Sequence, residues 1–255
     1  MNKLTIIKVG GKIVEEEQSL AQLLKDFSLI EGYKVLVHGG GRSATKLAEK
    51  LGIESRMVNG RRVTDRDTLE IVTMVYGGLV NKNIVAGLQA LGVNALGLTG
   101  ADMNIIRSEK RPVKEVDYGF VGDVKEVNTE TLSSLIQQGI VPILAPLTHD
   151  KEGNILNTNA DTIAGETAKA LALKFDVTLI YCFEKKGVLM NEDDDESVIP
   201  DINKTMFEQL VKDGIVQGGM IPKLENAFQA IEKGVKEVII TSASKFGENE
   251  GTRIY

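Results

Sequence analysis

The chain has 255 residues, of which 42% are hydrophobic and 26% are charged, and its formal net charge is −6 at pH 7. This length suits one large α/β domain or two fused lobes, and the composition is that of an ordinary globular protein. Because no block of Lys and Arg provides the basic face that nucleic acid requires, the sequence argues against a nucleic-acid partner, whereas a small anionic metabolite needs only a few local cations.

Cysteine usage and hydropathy bear on the compartment. Cys182 is the only cysteine, so an internal disulfide is impossible, and its apolar surroundings predict a buried, unreactive thiol. The first residues lack the long apolar stretch of a signal peptide, and no window reaches the ~18 apolar residues of a membrane span. We therefore expect a cytoplasmic protein without a membrane partner.

Short aliphatic or β-branched runs alternate along the chain with amphipathic segments. Residues 107–127, punctuated by Pro112, Gly119 and Gly122, predict a hairpin. The apolar runs predict strands at residues 4–9, 34–37, 95–98, 141–145, 177–181 and 237–241. The amphipathic segments predict helices at residues 16–30, 43–51, 66–91, 129–138, 161–175, 204–212 and 222–233.

The alternation of strands and helices predicts the fold class. Successive βαβ units place their strands in one parallel sheet, so we expect an α/β fold, an open αβα sandwich with a mostly parallel central sheet. A second set of strands and helices begins near Phe175. We therefore expect two lobes of one sandwich, residues 1–175 and 176–255.

Two glycine-rich segments directly follow predicted strands. In Lys8-Val-Gly-Gly11 the lysine lies at the carboxyl end of a strand, where open α/β sheets bind ligands, and the glycines expose backbone N–H groups. In His38-Gly-Gly-Gly41 three glycines leave the start of a helix free of side chains, which favours an anion site. The simpler interpretation of each segment is a tight turn, with Lys8 on the surface and a neutral His38 that fixes its loop.

Two further polar segments open predicted helices. Asn157-Thr-Asn-Ala-Asp161 supplies an amide for a substrate and a carboxylate that orients cations, although Asn and Asp are also common helix caps. In Gly218-Gly-Met-Ile-Pro-Lys223 the lysine lies in the first helical turn, where it opposes the helix dipole. Such a lysine indicates a nearby anionic ligand, unless it is an ordinary surface residue.

The glycine loops and the two lysines together predict a polyphosphate site. The chain contains no GxxxxGK[ST] segment, and no GxGxxG segment follows a strand. We therefore expect a binding mode that is neither that of a P-loop nor that of a Rossmann fold.

Taken together, these residues resemble the amino acid kinase family, and the likeness runs from Lys3 to Ile254. Segments 59–64 (NGRRVT), 116–122 (VDYGFVG) and 218–223 (GGMIPK) are similar to those of the branch that phosphorylates N-acylated glutamate. The resemblance implies ATP and Mg²⁺ as cofactors. It implies N-acetyl-L-glutamate as the acceptor, whose side-chain carboxylate becomes the 5-phosphate during arginine synthesis.

The family pattern implies roles for the matching positions of this sequence. Lys8 and Lys223 would stabilise the phosphoryl group in flight, and Asp161 would organise both lysines. The acylglutamate would be held by Gly40, Gly41, Arg62 and Asn157. The nucleotide would be bound by Gly10, Gly11, Glu184, Gly187, Gly218, Gly219 and Met220. We expect no protein ligand for the magnesium ion, because the oxygens of the nucleotide would hold it.

Two departures from the family pattern stand out. Where the family usually has Ser/Thr-Asp before the nucleotide loop, this chain has Phe183 and Glu184 after Cys182. Where the family has GKD, this chain has Gly-Ala-Asp at residues 100–102. The first departure would change the contacts with the nucleotide. The second would change the choice of substrate or only the protein surface.

The resemblance also implies an assembly and a division of labour. Lys8 lies so near the first residue that we expect no N-terminal helix of the kind that arginine-inhibited, hexameric members carry. We therefore expect an arginine-insensitive homodimer. Residues 1–175 would bind the acylglutamate and dimerise, and residues 176–255 would bind the nucleotide.

Two alternatives stay open. The first keeps the reaction but uses N-succinyl-L-glutamate, whose additional carboxylate needs a cation such as Arg42 or Arg61. The second, from another class, is a catalytically silent metabolite-binding subunit. The departures at the nucleotide loop motivate it, whereas the retention of both lysines and Asp161 argues against it.

Overall fold

The computed structural model describes residues 1–58, 60–243 and 250–255, so Asn59 of the 59–64 segment lies outside the described residues. The strands are β1 (Lys3–Val9), β2 (Tyr33–His38), β3 (Met57–Val58), β4 (Arg61–Arg62), β5 (Ala95–Leu98), β6 (Ile106–Lys110), β7 (Gly122–Val127), β8 (Val141–Leu144), β9 (Leu147–His149), β10 (Ile155–Asn157), β11 (Asp176–Phe183), β12 (Asp201–Ile202), β13 (Glu237–Ser242) and β14 (Thr252–Ile254).

The helices fall between these strands. They are α1 (Gly11–Glu15), α2 (Glu17–Ser28), α3 (Gly41–Lys50), α4 (Arg66–Val72), α5 (Asn81–Ala90), α6 (Thr129–Gln137), α7 (Ala160–Leu171), α8 (Lys204–Lys212) and α9 (Met220–Glu232). A π-helical stretch, Thr73–Val80, joins α4 to α5, and a single 3₁₀ turn occupies Asp102–Asn104.

The central sheet has eight of the described strands, in the order β12-β14-β13-β11-β1-β2-β8-β5. The six neighbours from β13 to β5 are parallel to one another. β14 runs antiparallel to β13 and pairs with the short β12 at the edge. A smaller sheet, in the order β10-β9-β6-β7, and the β3–β4 pair complete the strands of the described residues. The predicted α/β fold with a mostly parallel central sheet is confirmed.

Side chains of the central strands alternate between two apolar cores, one on each face of the sheet. On β1, Leu4 and Ile6 belong to a core that α6, α7, α8 and α9 cover, whereas Ile7 and Val9 belong to a core that α1 to α5 cover. On β11, Leu179 enters the first core, and the strand residues on either side of it alternate in the same way. This alternation is the strand period of two, applied to strands that are buried on both faces.

Most predicted elements are present, and the differences lie at their ends. The six predicted strands and the hairpin of residues 107–127 are observed. The helix predicted for residues 161–175 begins at Ala160 and ends at Leu171, because the buried ring of Phe175 turns inward to pack edge-on against Tyr33 before β11 begins. The short helix α1, which directly follows Lys8-Val-Gly, was not predicted.

The helical run from Arg66 to Ala90 is 25 residues long and is apolar enough to cross a membrane by length and composition. Its apolar window is 44% buried inside the fold, with Leu69, Val72, Ile84 and Leu88 in the second core. A core helix that packs on a sheet has the same properties, so this run is weak support for a membrane span.

The topology brings the candidate residues to one edge of the sheet. In the registers of the parallel strands, Lys8 pairs with Tyr181 of β11, and Val9 pairs with His38 of β2. The carboxyl ends of β1, β2 and β11 therefore meet at one place, which is where open α/β sheets bind ligands.

Candidate active site

Lys8 lies at the carboxyl end of β1 and points to the face that α7 and α9 cover. It shares the parity of Leu4 and Ile6 on the strand, which explains this direction. Its ammonium Nζ lies 2.7 Å from Oδ1 of Asp161, and only 10% of the Lys8 side chain and 22% of the Asp161 side chain are exposed. A charge this poorly hydrated needs a partner, and Asp161 provides it.

Asp161 is held in place by the start of α7. The carboxamide oxygen of Asn159 caps this helix and accepts hydrogen bonds from the backbone N–H groups of Asp161, at 2.7 Å, and Thr162, at 3.3 Å. The carboxylate therefore lies in the first helical turn, where the helix dipole favours a negative charge. In the 157–161 segment, Asn159 therefore serves as the helix cap, whereas Asp161 provides the negative charge.

Lys223 reaches the same place from the first turn of α9. Its ammonium lies 3.7 Å from the ring centroid of Phe183, the last residue of β11. Burial lowers the pKa of Lys223, and the positive charge of Lys8 lowers it further, whereas Asp161 raises it. Asp161 is thus electrostatically coupled to both lysines, and its direct ion pair is with Lys8.

The two glycine loops lie against each other at the ends of β1 and β2. A Cβ atom on Gly11 would stand 3.5 Å from the backbone nitrogen of Gly41, and one on Gly39 would stand 3.3 Å from the nitrogen of Gly11. Gly40 caps α3 without a side-chain hydrogen bond. The N-terminal N–H groups of α3 are therefore not covered by a capping side chain, as an anion site requires.

Gly40 is also constrained by an aromatic ring. A Cβ atom at this position would stand 2.8 Å from Cδ1 of Tyr76, closer than real Cβ contacts come. Tyr76 lies in the π-helical stretch and is buried, and burial raises the pKa of its phenol. The ring fixes the position of the glycine loop from the side of the Arg66–Ala90 run.

A hydrogen bond from His38 also fixes this glycine loop. Its Nδ1–H donates to the carbonyl oxygen of Gly39 over 2.7 Å, and its Nε2 accepts from the side-chain amide of Asn81 over 3.0 Å. The amide of Asn81 also donates to the carbonyl oxygen of Ile143. Burial lowers the pKa of His38 to about 4, so the ring is neutral near pH 7. This geometry agrees with a neutral histidine that holds the loop.

A first pocket opens between the glycine triplet and the start of α7, with a volume of about 200 Å³. Its lining residues are Gly39, Gly40, Gly41, Met57, Gly60, Arg61, Arg62, Tyr76, Arg111, Val121, Pro146, Asn157, Thr158, Asn159 and Ala160. All four residues that were expected to hold the acylglutamate, Gly40, Gly41, Arg62 and Asn157, lie in this lining.

Arg62 connects the β3–β4 pair to the glycine loop. Its Nη2 donates to the carbonyl oxygen of Gly41 and to the hydroxyl of Thr45, both over 2.9 Å, and its Nη1 donates to the hydroxyl of Ser55. Asn157 ends β10 and donates from its amide to the hydroxyl of Thr64 over 3.0 Å. The two side chains are thus held by the segments on either side of the pocket.

A second pocket, of about 440 Å³, lies on the other side of the glycine loops and shares Gly41 with the first. Its lining residues are Gly10, Gly11, Lys12, Ile13, Gly41, Arg42, Phe183, Glu184, Lys185, Gly187, Met220, Lys223 and Ile240. Five residues expected at the nucleotide belong to this lining, namely Gly10, Gly11, Glu184, Gly187 and Met220. Gly218 and Gly219 stand just before α9, next to Met220, and are not in the lining.

Glu184 forms ion pairs across the mouth of the second pocket. Its two carboxylate oxygens lie 3.5 Å from Nζ of Lys12 and 3.3 Å from Nη2 of Arg42. Arg42, which was expected as a possible cation for a succinyl group, therefore belongs to the second pocket and not to the first. Arg61 does line the first pocket.

Several residues of the site carry no motif that sequence reasoning recognised. Tyr76 and Arg111 line the first pocket, and Lys12 lines the second. Lys12 stood beside the Gly10-Gly11 pair and was the one with a usable signal. The positions of Tyr76 and Arg111 depend on the tertiary fold, since they come from a helix and a hairpin far from the glycine loops in sequence.

Among residues 1–58, 60–243 and 250–255, no group of three or more His, Cys, Asp or Glu side chains is arranged to hold a metal ion. Magnesium in nucleotide enzymes is commonly bound by one or two carboxylates together with substrate phosphates, so a site of that kind does not need such a group. Asp161 is paired with Lys8, and Glu184 lines the second pocket.

Comparison with known proteins places the chain among characterised folds. The model of the amino acid kinase family matches residues 3–242. A Parabacteroides distasonis protein named acetylglutamate kinase is 75% identical over the whole of both chains, and one from Bacteroides thetaiotaomicron is 74% identical over 99% of this chain and 98% of that protein. The crystal structure of smu.665 from Streptococcus mutans is similar with a TM-score of 0.81 and 31% identity, over 98% of each chain.

Proposed function

The chain belongs to the amino acid kinase family, and we propose that it transfers the γ-phosphoryl group of ATP to the side-chain carboxylate of N-acetyl-L-glutamate, forming N-acetyl-L-glutamyl 5-phosphate in arginine biosynthesis. The observation that carries the proposal is the grouping of Lys8, Asp161 and Lys223 beside two pockets that share Gly41. The relatives named acetylglutamate kinase support the choice of acceptor.

The chemistry of this reaction suits the side chains that are present. A glutamate side chain has an ordinary pKa of about 4.3, so the acceptor is ionised at neutral pH and needs no general base. Phosphoryl transfer is catalysed chiefly by positioning and by stabilising charge on the transferred group. We assign this stabilisation to Lys8 and Lys223, and a well-placed donor of this kind is typically worth roughly 3–4 kcal/mol in the transition state. Asp161 orients the two ammonium groups.

The first pocket is the proposed acylglutamate site. Arg62 lies in its lining, and a guanidinium binds a carboxylate through two parallel N–H donors. Gly40 and Gly41 offer backbone N–H groups, and Asn157 offers an amide. Because Gly41 also lines the second pocket, an acceptor bound here has its reactive carboxylate close to the phosphates of a nucleotide bound there.

The second pocket is the proposed nucleotide site. Gly10, Gly11 and Gly41 bring backbone N–H groups to phosphate oxygens, and Lys12 and Arg42 add positive charge at the mouth. Gly187 lies where a Cβ atom would stand 2.7 Å from Oγ1 of Thr252, so this part of the wall is built by close backbone approach. We place Gly218 and Gly219 at the nucleotide through their position just before α9.

Magnesium enters the proposal as a companion of ATP. A nucleotide-bound Mg²⁺ would neutralise part of the phosphate charge. We propose that the oxygens of the nucleotide hold it, with Asp161 or Glu184 nearby, and we assign no dedicated protein ligand.

We also propose a homodimer with a division of labour, in which residues 1–175 bind the acylglutamate and dimerise while residues 176–255 bind the nucleotide. Met74 and Leu79 of the Arg66–Ala90 run are each more than half exposed, and we place the dimer interface on this side of the molecule. We place the enzyme in the cytoplasm, where ATP is regenerated. Light scattering of the purified protein tests the dimer, and a stable hexamer would contradict it.

A second candidate acceptor is N-succinyl-L-glutamate. It has a carboxylate beyond the acyl chain. Arg61 and Arg111 line both the first pocket and an adjoining groove, whose lining also includes Pro112, Lys114 and Tyr118. Arg111 is already paired with Asp123, over 2.5 Å, which leaves Arg61 as the cation best suited to a further carboxylate.

A coupled assay of ADP release, with ATP and magnesium, tests the proposed function. N-acetyl-L-glutamate and N-succinyl-L-glutamate are compared in parallel at matched concentrations. A clear preference for the acetyl compound supports the proposal, and a clear preference for the succinyl compound keeps the reaction and changes the acceptor. ATP binding with turnover of neither compound would instead support a catalytically silent metabolite-binding subunit.

A further inference from the structure

The ring of Phe183 lies within cation–π range of both lysines of the site. Its ring centroid lies 3.7 Å from Nζ of Lys223 and 5.2 Å from Nζ of Lys8. The ring of Tyr181 is stacked nearly parallel to that of Phe183, with 6.0 Å between the centroids and an interplanar angle of 11°. The ring thus stands at the end of β11 with two cations beside it.

The strand register explains why one ring reaches both lysines. Lys8 pairs with Tyr181, so Phe183 extends β11 two residues beyond the level of Lys8 and points to the same face of the sheet. Lys223 approaches that face from the first turn of α9. The contact therefore joins two neighbouring strands to a helix from the distant C-terminal part of the chain.

The two ammonium groups have unequal anionic support. Asp161 forms its ion pair with Lys8 at 2.7 Å, and its effect on Lys223 is electrostatic. Two cations held this close repel each other, and burial adds to the cost of charge on Lys223. The face of an aromatic ring carries negative charge density and attracts an ammonium group within about 6 Å. A ring of this kind attracts an ammonium group without neutralising its charge, whereas a second carboxylate would neutralise it.

We propose that Phe183 is a positioning residue of the phosphoryl-transfer site, which holds Lys223 beside Lys8 in the orientation that the transferred group requires. The proposal rests on the proposed function, because it assigns both lysines to the transferred phosphoryl group. A packing residue would have no need of its ring face, and a residue that stacks on the nucleotide base would act on ATP binding. The alternatives therefore make different predictions.

The experiment compares the full-length wild-type protein with Phe183→Leu, which keeps the apolar volume and removes the ring, and Phe183→Tyr, which keeps the ring. Phe207→Leu is the matched control, because Phe207 packs on Phe228 in the core, at 5.5 Å between centroids. Steady-state kcat and the KM values for ATP and N-acetyl-L-glutamate are measured for all four proteins, together with their melting temperatures.

We expect Phe183→Leu to lower kcat by about 10-fold, with both KM values little changed, because a misplaced lysine loses stabilisation that is needed only in the transition state. Phe183→Tyr should restore most of kcat. Phe207→Leu should lower the melting temperature and leave kcat unchanged. The proposal is overturned if Phe183→Leu keeps kcat, or if its main effect is a higher KM for ATP.

A spectroscopic readout separates this proposal from the proposed function. In protein with ¹³C-labelled lysine, the ε-protons of Lys223, assigned with Lys223→Arg, should be shifted upfield by the ring current of Phe183, and the shift should vanish in Phe183→Leu. An unshifted Lys223 signal in the wild type would overturn the contact itself. If the wild type turned over no acylglutamate, the proposed function would fail and the positioning role with it, whereas the loss of this shift in Phe183→Leu would still show the contact between Phe183 and Lys223.

Discussion

Lys8 and Asp161 form a largely buried ion pair, with 2.7 Å between Nζ and Oδ1, that joins the end of β1 to the first turn of α7. Since β1 carries the Gly10-Gly11 loop and α7 begins at the wall of the first pocket, the pair connects the proposed nucleotide and acylglutamate sites.

Asp161→Asn should destabilise the fold as well as slow the reaction. The change leaves the ammonium of Lys8 buried without its counter-charge, and breaking a buried pair in this way typically costs about 3 kcal/mol. Urea denaturation measures the free energy of unfolding. Glu130→Gln, which removes a surface ion pair with Lys174, is the matched control and should cost at most about 1 kcal/mol. Equal losses of unfolding free energy in the two variants would show that the Lys8–Asp161 pair stabilises the fold no more than a surface ion pair does.

Lys223→Ala should act on kcat far more than on either KM. The charge that Lys223 meets grows as the phosphoryl group leaves ATP, so its removal should lower kcat by about 100-fold or more. Lys8→Ala should behave in the same way. Lys212→Ala, at the exposed end of α8, serves as the control and should leave kcat unchanged. A near-normal kcat in Lys223→Ala would contradict the proposal that Lys223 stabilises the transferred phosphoryl group.

Arg62→Ala should act mainly on binding of the acceptor. Its guanidinium borders the first pocket and also holds the carbonyl oxygen of Gly41, so we expect the KM for N-acetyl-L-glutamate to rise by about 10-fold or more. Arg62→Lys keeps the charge but loses the two-pronged contact, and it should rescue the KM only in part. An unchanged KM for the acceptor together with a raised KM for ATP would place Arg62 at the other substrate.

His38 should make stability depend on pH between about 4 and 6.5. Burial lowers the pKa of folded His38 to about 4, whereas the unfolded chain has the ordinary value of 6.5, so the unfolded state binds the additional proton in this window. The stability contributed by the neutral ring is complete above pH 6.5 and is lost as the pH falls towards 4, by about 3 kcal/mol in total.

Denaturation of the wild type and of His38→Gln across this pH range measures that contribution. The variant lacks the titrating ring, and the two proteins share every other titratable group. The free energy of unfolding should fall more steeply with decreasing pH in the wild type than in the variant. Parallel curves would mean that His38 is not buried as a neutral ring.

Much of the fold could be predicted because its strands are short apolar runs with clear boundaries. The strands at residues 95–98 and 237–241 are observed almost as predicted, since buried parallel strands have few polar residues to blur their pattern. The short β12 forms the sheet edge beside the short β14, and two or three residues carry too little periodicity to be recognised. The π-helical stretch is likewise hidden, because its apolar residues fit an ordinary helix equally well.

The candidate site was likewise predictable only in part. Lys8, Gly11 and Gly41 stand at strand ends in the sequence, so their meeting at one edge of the sheet follows from the parallel topology. The contact of Phe183 with Lys223 does not follow, because it depends on how α9 packs over β11. From the sequence, Phe183 was only a departure from the family pattern. The place of Arg42 beside Glu184 was likewise decided by the fold.

The most direct test of the central claim is to trap the product with hydroxylamine. An acyl phosphate reacts with hydroxylamine to give a hydroxamate, so the reaction of ATP, magnesium and N-acetyl-L-glutamate should yield hydroxamate and ADP in equal amounts. Lys223→Ala should reduce both together. Release of ADP without hydroxamate, or formation of neither by the wild type, would contradict phosphorylation of the side-chain carboxylate at this site.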